Sequence, residues 1–144
     1  MKNKHPLRVV LDTNVLLVSI SDRSRFHWLY KALLNAEFEL YVTGEILLEY
    51  EEIISARWSG EAAQATMRTL MELSNVHFAT IYFNLNLIED DADDNKFVDC
   101  AFSSNAHYLV SNDRHFSILK TVPFPNINVV RVEEFEELLN KMRT

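Results

Sequence analysis

Two aspartates follow apolar runs of the chain, and carboxylates in such positions can hold a metal ion. The segment VVLDTN places Asp12 directly after the mainly apolar run 8–11 (RVVL), and YLVSND brings Asp113 close behind residues 108–110. A carboxylate is rarely buried unless it is paired or binds a metal. The structural alternative for each residue is a helix cap or a turn, which Asp also favours. Two acids placed alike after two predicted strands favour a shared site over two separate caps.

A third acid is selected by helix geometry within residues 89–101, EDDADDNKFVDCA. At about 100° per residue, Asp94 shares its direction with the apolar residues that follow it. These residues are Phe97, Val98, Ala101 and Phe102. Asp94 is therefore predicted to begin the core-facing stripe, whereas Asp99 is rotated roughly 140° away from it. The remaining acids of the run, Asp90, Asp91 and Asp93, are predicted to be solvated charges.

A fourth acid is expected from the helical segment GEILLEYEEII. Its buried stripe is predicted to consist of Ile46, Tyr50, Ile53 and Ile54. Glu49 and Glu51 flank this stripe on opposite sides, with Glu49 slightly closer, and Glu52 faces away. Periodicity alone leaves the choice between Glu49 and Glu51 open, and a solvated helix edge remains the alternative for either residue.

The elements that must position these acids are strands alternating with helices. Strands are predicted at residues 8–11, 38–42, 108–110 and 127–132, with a weaker one near 76–81. Helical stripes are predicted around Ala63, Met67 and Leu70, and from Phe135 to Met142, where Glu133 and Glu134 suit the first turn. This alternation predicts an α/β fold with a mostly parallel sheet, whose strands present functional groups at their carboxyl ends.

Composition favours one globular domain spanning residues 1–144. The chain is 48% hydrophobic and 24% charged, with a single cysteine, Cys100, and so has neither an internal disulfide nor a cysteine-rich zinc site. Its five histidines are scattered without the spacing of zinc ligands. No apolar run is long enough to span a bilayer, and we expect a cytoplasmic protein without membrane contact. The net charge of −7 argues against a plain nucleic-acid-binding module more than against a metallonuclease.

The motifs VVLDTNVLL, ILLEYEEII, DDNKFVDCA and YLVSND, in this order and spacing, resemble those of the PIN-domain family. The resemblance covers essentially the whole chain and is strongest to bacterial members that are toxin components of toxin–antitoxin systems. It implies a three-layer α/β/α sandwich with a mostly parallel central sheet. It also implies a carboxylate cluster that binds Mg²⁺ or Mn²⁺.

The resemblance assigns roles to individual residues of this chain. It matches Asp12, Glu49, Asp94 and Asp113 to the family's catalytic, metal-binding acids, and thereby favours Glu49 over Glu51. Asp99 falls where related sequences often carry another acid, so it is a further candidate ligand. Two polar residues are expected to orient the acids: Asn14, and Ser111 in place of the family's usual threonine.

These features predict metal-assisted hydrolysis of an RNA phosphodiester bond by a metallonuclease. Oxygen ligands favour a hard cation such as Mg²⁺ or Mn²⁺ over zinc. The expected partners are single-stranded or structured RNA, an antitoxin protein, and a second copy of the chain through Leu48 and Trp58. Basic residues near the motifs that could guide the RNA strand are Arg23, Arg25, Lys96 and Arg114. The alternative is a catalytically silent PIN-like module for nucleic-acid binding or assembly.

Overall fold

Five parallel strands form the sheet in the part of the chain that the structure, a computed structural model, describes: residues 5–88, 92–121 and 126–143. The strands are β1 (Arg8–Leu11), β2 (Glu39–Val42), β3 (Val76–Phe78), β4 (Tyr108–Val110) and β5 (Val129–Val130). Their spatial order is β3-β2-β1-β4-β5, and every neighbouring pair is parallel. The predicted three-layer α/β/α architecture is confirmed.

The helices that cover this sheet carry the predicted apolar stripes. They are α1 (Thr13–Ile20), α2 (His27–Leu34), α3 (Gly44–Arg57), α4 (Gly60–Glu72), α5 (Asn95–Ser103) and α6 (Val132–Met142). No helix among the described residues is both long and apolar enough to cross a membrane. Cys100 is a free cysteine that is buried in the core, where it packs as a small apolar side chain.

Strand β1 lies at the centre of the sheet, where the order of the strands changes direction: β2 and β3 are added on one side of it, and β4 and β5 on the other. Its neighbours are β2, reached by the first connection, and β4, which the chain reaches after returning from β3. Val9, Val10 and Leu11 are completely buried, as expected for a central parallel strand covered on both faces. In open α/β sheets, the carboxyl ends on either side of such a switch point form a crevice that binds ligands.

Helix α3 is fixed against the carboxyl end of β1 by a buried side chain. The helix begins after Thr43, whose Oγ1 accepts a hydrogen bond of 3.1 Å from the Ile46 N–H. One turn later, the Tyr50 hydroxyl donates a hydrogen bond of 2.6 Å to the carbonyl oxygen of Leu11. The residue before Tyr50 is thereby held close to the residue after Leu11, which brings Glu49 near Asp12.

The last strand is shorter than predicted. Residues 127–132 suggested a strand, but β5 contains only Val129 and Val130, and Val132 already begins α6. The physical reason is local capping. The Arg131 N–H donates to Glu134 Oε1 at 2.9 Å, and the Val132 N–H donates to Asn112 Oδ1 at 3.1 Å. These bonds satisfy amides of the first helical turn, so the chain continues as a helix.

Asn75 supplies a test of the fold that does not involve the crevice. It is 3% exposed, and its side-chain amide donates to the carbonyl oxygens of Leu33 and Phe38, both at 2.9 Å. We expect Asn75→Ala to lower the free energy of unfolding by about 1–3 kcal/mol, because both carbonyls lose a buried donor. Urea unfolding measures this. The neighbouring exposed Ser74→Ala is the control, and equal stability of the two variants would contradict the role of Asn75.

Candidate active site

Asp12 leaves β1 at the crevice and is almost completely buried, at 5% exposure. Its N–H donates to the Val110 carbonyl at 3.1 Å, which joins it to the end of β4. It occupies the N-cap position of α1, yet its side chain makes no capping hydrogen bond. Its Oδ2 instead accepts a hydrogen bond of 2.7 Å from the Ser111 hydroxyl. The Ser111 hydroxyl thus ties one oxygen of the Asp12 carboxylate to the segment that follows β4.

Ser111 connects the two strand-end aspartates. Its hydroxyl donates to Asp12 and accepts a hydrogen bond of 2.9 Å from the Asp113 N–H. Its own N–H is bound to the Val130 carbonyl of β5 at 2.9 Å, and the residue is 2% exposed. Its hydroxyl thus lies between the Asp12 carboxylate and the Asp113 backbone, and the orienting role expected for Ser111 stays a prediction.

Asp94, Asp113 and His115 form a compact group of possible metal ligands. Asp94 is 9% exposed and occupies the N-cap position of α5. His115 Nδ1 lies 3.5 Å from Asp94 Oδ2 and 3.4 Å from Asp113 Oδ1. One donor atom from each residue lies within 4.8 Å of the other two. Two predicted acids thus meet here with a histidine that the sequence analysis did not select.

His115 could have been found from its spacing to Asp113. The Asp113 carboxylate accepts the His115 N–H at 2.9 Å, which is an Asx turn between residues two positions apart. Such a turn folds the chain back and brings the imidazole beside the carboxylate. The sequence analysis searched for histidines with zinc-ligand spacing and therefore missed a histidine that follows an acid in a turn.

Glu49 also lies near Asp12 and is paired with the cationic side chain of Lys96. Its Oε2 accepts a hydrogen bond from the Thr13 hydroxyl, and its Oε1 lies 2.7 Å from Lys96 Nζ. The Lys96 side chain is only 9% exposed and also donates to the Asp93 carbonyl at 2.7 Å. Lys96 was named as a possible guide for RNA, but in this structure it is turned inward and neutralises Glu49.

Asp99 and Asn14 are placed differently from the other candidates. Asp99 is 6% exposed, and its Oδ1 accepts the Leu85 N–H at 2.9 Å, which fastens the segment before α5. It is not part of the group formed by Asp94, Asp113 and His115. Asn14 is exposed beside Asp12, and no hydrogen bond links its side chain to that carboxylate among the described residues. The ligand role of Asp99 and the orienting role of Asn14 stay predictions.

Burial raises the pKa of Asp12, because desolvation disfavours its charged form. The hydrogen bond from Ser111 opposes this effect, while the negative charges of Asp113 and Glu49 raise the pKa further. The carboxylate faces an open cleft of about 300 Å³. The cleft is lined by Asp12, Asn14, Val15, Val18, Phe26, Asn112 and Asp113. Like charges crowded beside an open cleft are the electrostatic condition that a cation relieves.

The donor set around the cleft fits a divalent cation. Carboxylate oxygens are the ligands that Mg²⁺ and Mn²⁺ prefer, and an imidazole nitrogen is accepted by most first-row transition metals. Asp94, Asp113 and His115 supply three donors within reach of one ion. Asp12 lies near both Asp113 and Glu49, since the charges of both act on it.

The raised pKa of Asp12 predicts how metal-free protein responds to pH. A native pKa above the ordinary 3.8 means that the folded state binds this proton more tightly than the unfolded chain. Stability is therefore lost as the pH rises above 3.8 and through the folded pKa. Asp12→Asn keeps an oxygen acceptor for Ser111 but removes the buried charge.

We expect Asp12→Asn to gain stability over the wild type as the pH rises above about 4, measured by urea unfolding with chelator present. The exposed Glu52→Gln variant is the control, for which no such gain is expected. A wild type that is as stable as Asp12→Asn at the higher pH would contradict a destabilising carboxylate at this position.

Solved structures share this fold at low sequence identity. A chain of VapBC2 from Rickettsia felis, bound to a DNA fragment from its promoter, superposes with a TM-score of 0.61 at 16% identity, covering 87% of this chain and 98% of that chain. VapC20 of Mycobacterium tuberculosis, described as a sarcin-ricin loop cleaving toxin, has a TM-score of 0.56 at 14% identity, with 83% and 98% covered. The PIN domain of T. brucei RRP44 has a TM-score of 0.55 at 13% identity, with 96% and 84% covered.

At these identities the likeness establishes the fold. None of the curated proteins compared with the sequence matches it. The family model described as PIN domain matches residues 8–115, which includes Asp12, Glu49, Asp94, Asp113 and all strands except β5. The match covers most of the chain, and the protein therefore belongs to the PIN-domain family.

Proposed function

We propose that this protein is a metal-dependent endoribonuclease that hydrolyses phosphodiester bonds of RNA. The observation that carries the proposal is the convergence of Asp12, Asp94 and Asp113 on one side of the sheet, beside an open cleft. The three acids come from the ends of two strands and the start of a helix, so their meeting is a property of the fold. Membership of the PIN-domain family supports the same activity, as does the likeness to VapC20, which is described as a sarcin-ricin loop cleaving toxin.

Asp12, Asp94 and Asp113 would hold Mg²⁺ or Mn²⁺, and Glu49 would complete the site. Ser111 keeps the Asp12 carboxylate directed at the cleft, and the turn at Asp113 holds its oxygen beside Asp94. A bound divalent cation supplies Lewis-acid activation of the attacking water and offsets charge on the phosphate. Burial of most of the Asp12 side chain lowers the effective dielectric around the carboxylate and strengthens its attraction for a cation.

The positively charged side chain of Arg25, beside the wall of the cleft, could contact an RNA backbone. Phe26 lines the cleft, and the Arg25 guanidinium carbon lies 4.6 Å from the centre of the Phe26 ring. The Arg25 side chain is 80% exposed, and its contact with Glu133, at 3.9 Å, is long. A guanidinium over an aromatic ring at a cleft wall suits a phosphate or an unstacked base. Arg25 is thus a better candidate than the inward Lys96 for contact with the strand.

The biological setting proposed for this nuclease is a toxin–antitoxin pair acting in the cytoplasm. Two of the similar structures are VapBC complexes, from Rickettsia felis and Salmonella typhimurium. A toxic nuclease requires a partner protein that restrains it, and we propose an antitoxin as that partner. Leu48 on α3 and Trp58 directly after it are 66% and 44% exposed, which supports a protein interface, with the antitoxin or a second copy, at this helix.

A cleavage assay tests the activity. We expect single-stranded or structured RNA to be cut in the presence of Mg²⁺ or Mn²⁺, and cleavage to stop when chelator is added. Asp12→Asn and Asp94→Asn are each expected to lower the rate by about 100-fold or more, because cation binding supplies several kcal/mol to the transition state. Gel analysis of a panel of labelled RNA and DNA oligonucleotides measures both results.

The matched control is Glu52→Gln, which removes a carboxylate from the exposed face of α3 and should cut as the wild type does. Cleavage that survives chelator, or that Asp12→Asn leaves unchanged, would contradict the proposed nuclease. Binding of RNA without any cleavage would favour the catalytically silent module instead.

A further inference from the structure

His115 extends the carboxylate site with a nitrogen donor that the family resemblance does not assign. Its ring nitrogen Nδ1 is buried, as is Asp94 Oδ2, and the two atoms are 3.5 Å apart. Asp113 Oδ1 lies 3.4 Å from the same nitrogen. Ligand atoms that share one ion at about 2.1 Å lie about 3 Å apart in adjacent positions and about 4 Å apart in opposite ones. The three donors, all within 4.8 Å of one another, match that spacing after small movements.

The position of His115 is held by the backbone and does not depend on a flexible side chain alone. The Ser111 hydroxyl accepts the Asp113 N–H, and the Asp113 carboxylate accepts the His115 N–H, each at 2.9 Å. His115 then lies near the start of the 3₁₀ segment Arg114–Thr121, which is anchored in the core by Phe116. A ligand preorganised in this way loses little conformational entropy when an ion binds.

We infer that His115 Nδ1 is a direct ligand of the divalent cation, so that the site prefers Mn²⁺ or another transition metal over Mg²⁺. This inference rests on the proposed metal site and names its third donor. Mg²⁺ prefers oxygen ligands and tolerates imidazole poorly, whereas Mn²⁺, Co²⁺ and Zn²⁺ accept it readily. Coordination through Nδ1 places the ring proton on Nε2, since a neutral imidazole has one donor and one acceptor nitrogen.

The test uses Mn²⁺ itself as the probe, without substrate. Pulsed electron paramagnetic resonance of Mn²⁺ bound to the wild-type chain should show modulation from a coordinated ¹⁴N nucleus. His115→Gln should lose this modulation, while the exposed His5→Gln should retain it. We also expect His115→Gln to weaken Mn²⁺ binding by about tenfold or more in calorimetric titration, and Mg²⁺ binding by less.

The wild-type spectrum decides the question even if His115→Gln fails to fold. Tight Mn²⁺ binding without nitrogen modulation would overturn the inference, because His115 would then only pair with the carboxylates, and the proposed nuclease would stand. Absence of Mn²⁺ and Mg²⁺ binding by the wild type would overturn both this inference and the metal dependence proposed above.

Discussion

The hydrogen bond from Ser111 to Asp12 is the interaction on which the rest of the site depends. It joins the end of β1 to the end of β4 at 2.7 Å. These are the neighbouring strands between which the order of the strands in the sheet changes direction. Because the same hydroxyl accepts the Asp113 N–H, one small side chain contacts the Asp12 carboxylate and the backbone of Asp113. Parallel strands bring their carboxyl ends to one edge of the sheet. A side-chain hydrogen bond between neighbouring strand ends, such as that from Ser111 to Asp12, is needed in addition to fix the direction of a carboxylate there.

Charge is the constraint that this arrangement must satisfy. Burial raises the pKa of Asp12, and the charges of Asp113 and Glu49 raise it further. The protein offsets part of this charge with Lys96, which pairs with Glu49. The imidazole of His115 lies beside Asp94 and Asp113. The Ser111 hydroxyl binds the Asp12 carboxylate, and the cleft beside it leaves room for an ion.

The parts of the structure that depend on periodicity could be predicted from the sequence. The buried strand 8–11 and the core-facing position of Asp94 both follow from apolar spacing, and both hold in the structure. Contacts that depend on side-chain direction could not be predicted in this way. His115 reaches the acids through a turn, Lys96 points inward to Glu49, and β5 is cut short by a helix cap. Asp99 was proposed from the family resemblance, and the contact of its carboxylate with the Leu85 N–H could not be read from the sequence.

The most direct measurement for the central claim is thermal unfolding of the wild type and Asp12→Asn with and without Mn²⁺. An ion that binds the folded chain at about 100 times its dissociation constant adds about 2.7 kcal/mol of stability, which raises the midpoint of unfolding by several degrees. We expect this rise in the wild type and little or none in Asp12→Asn. An equal rise in both proteins would contradict a metal site built around Asp12.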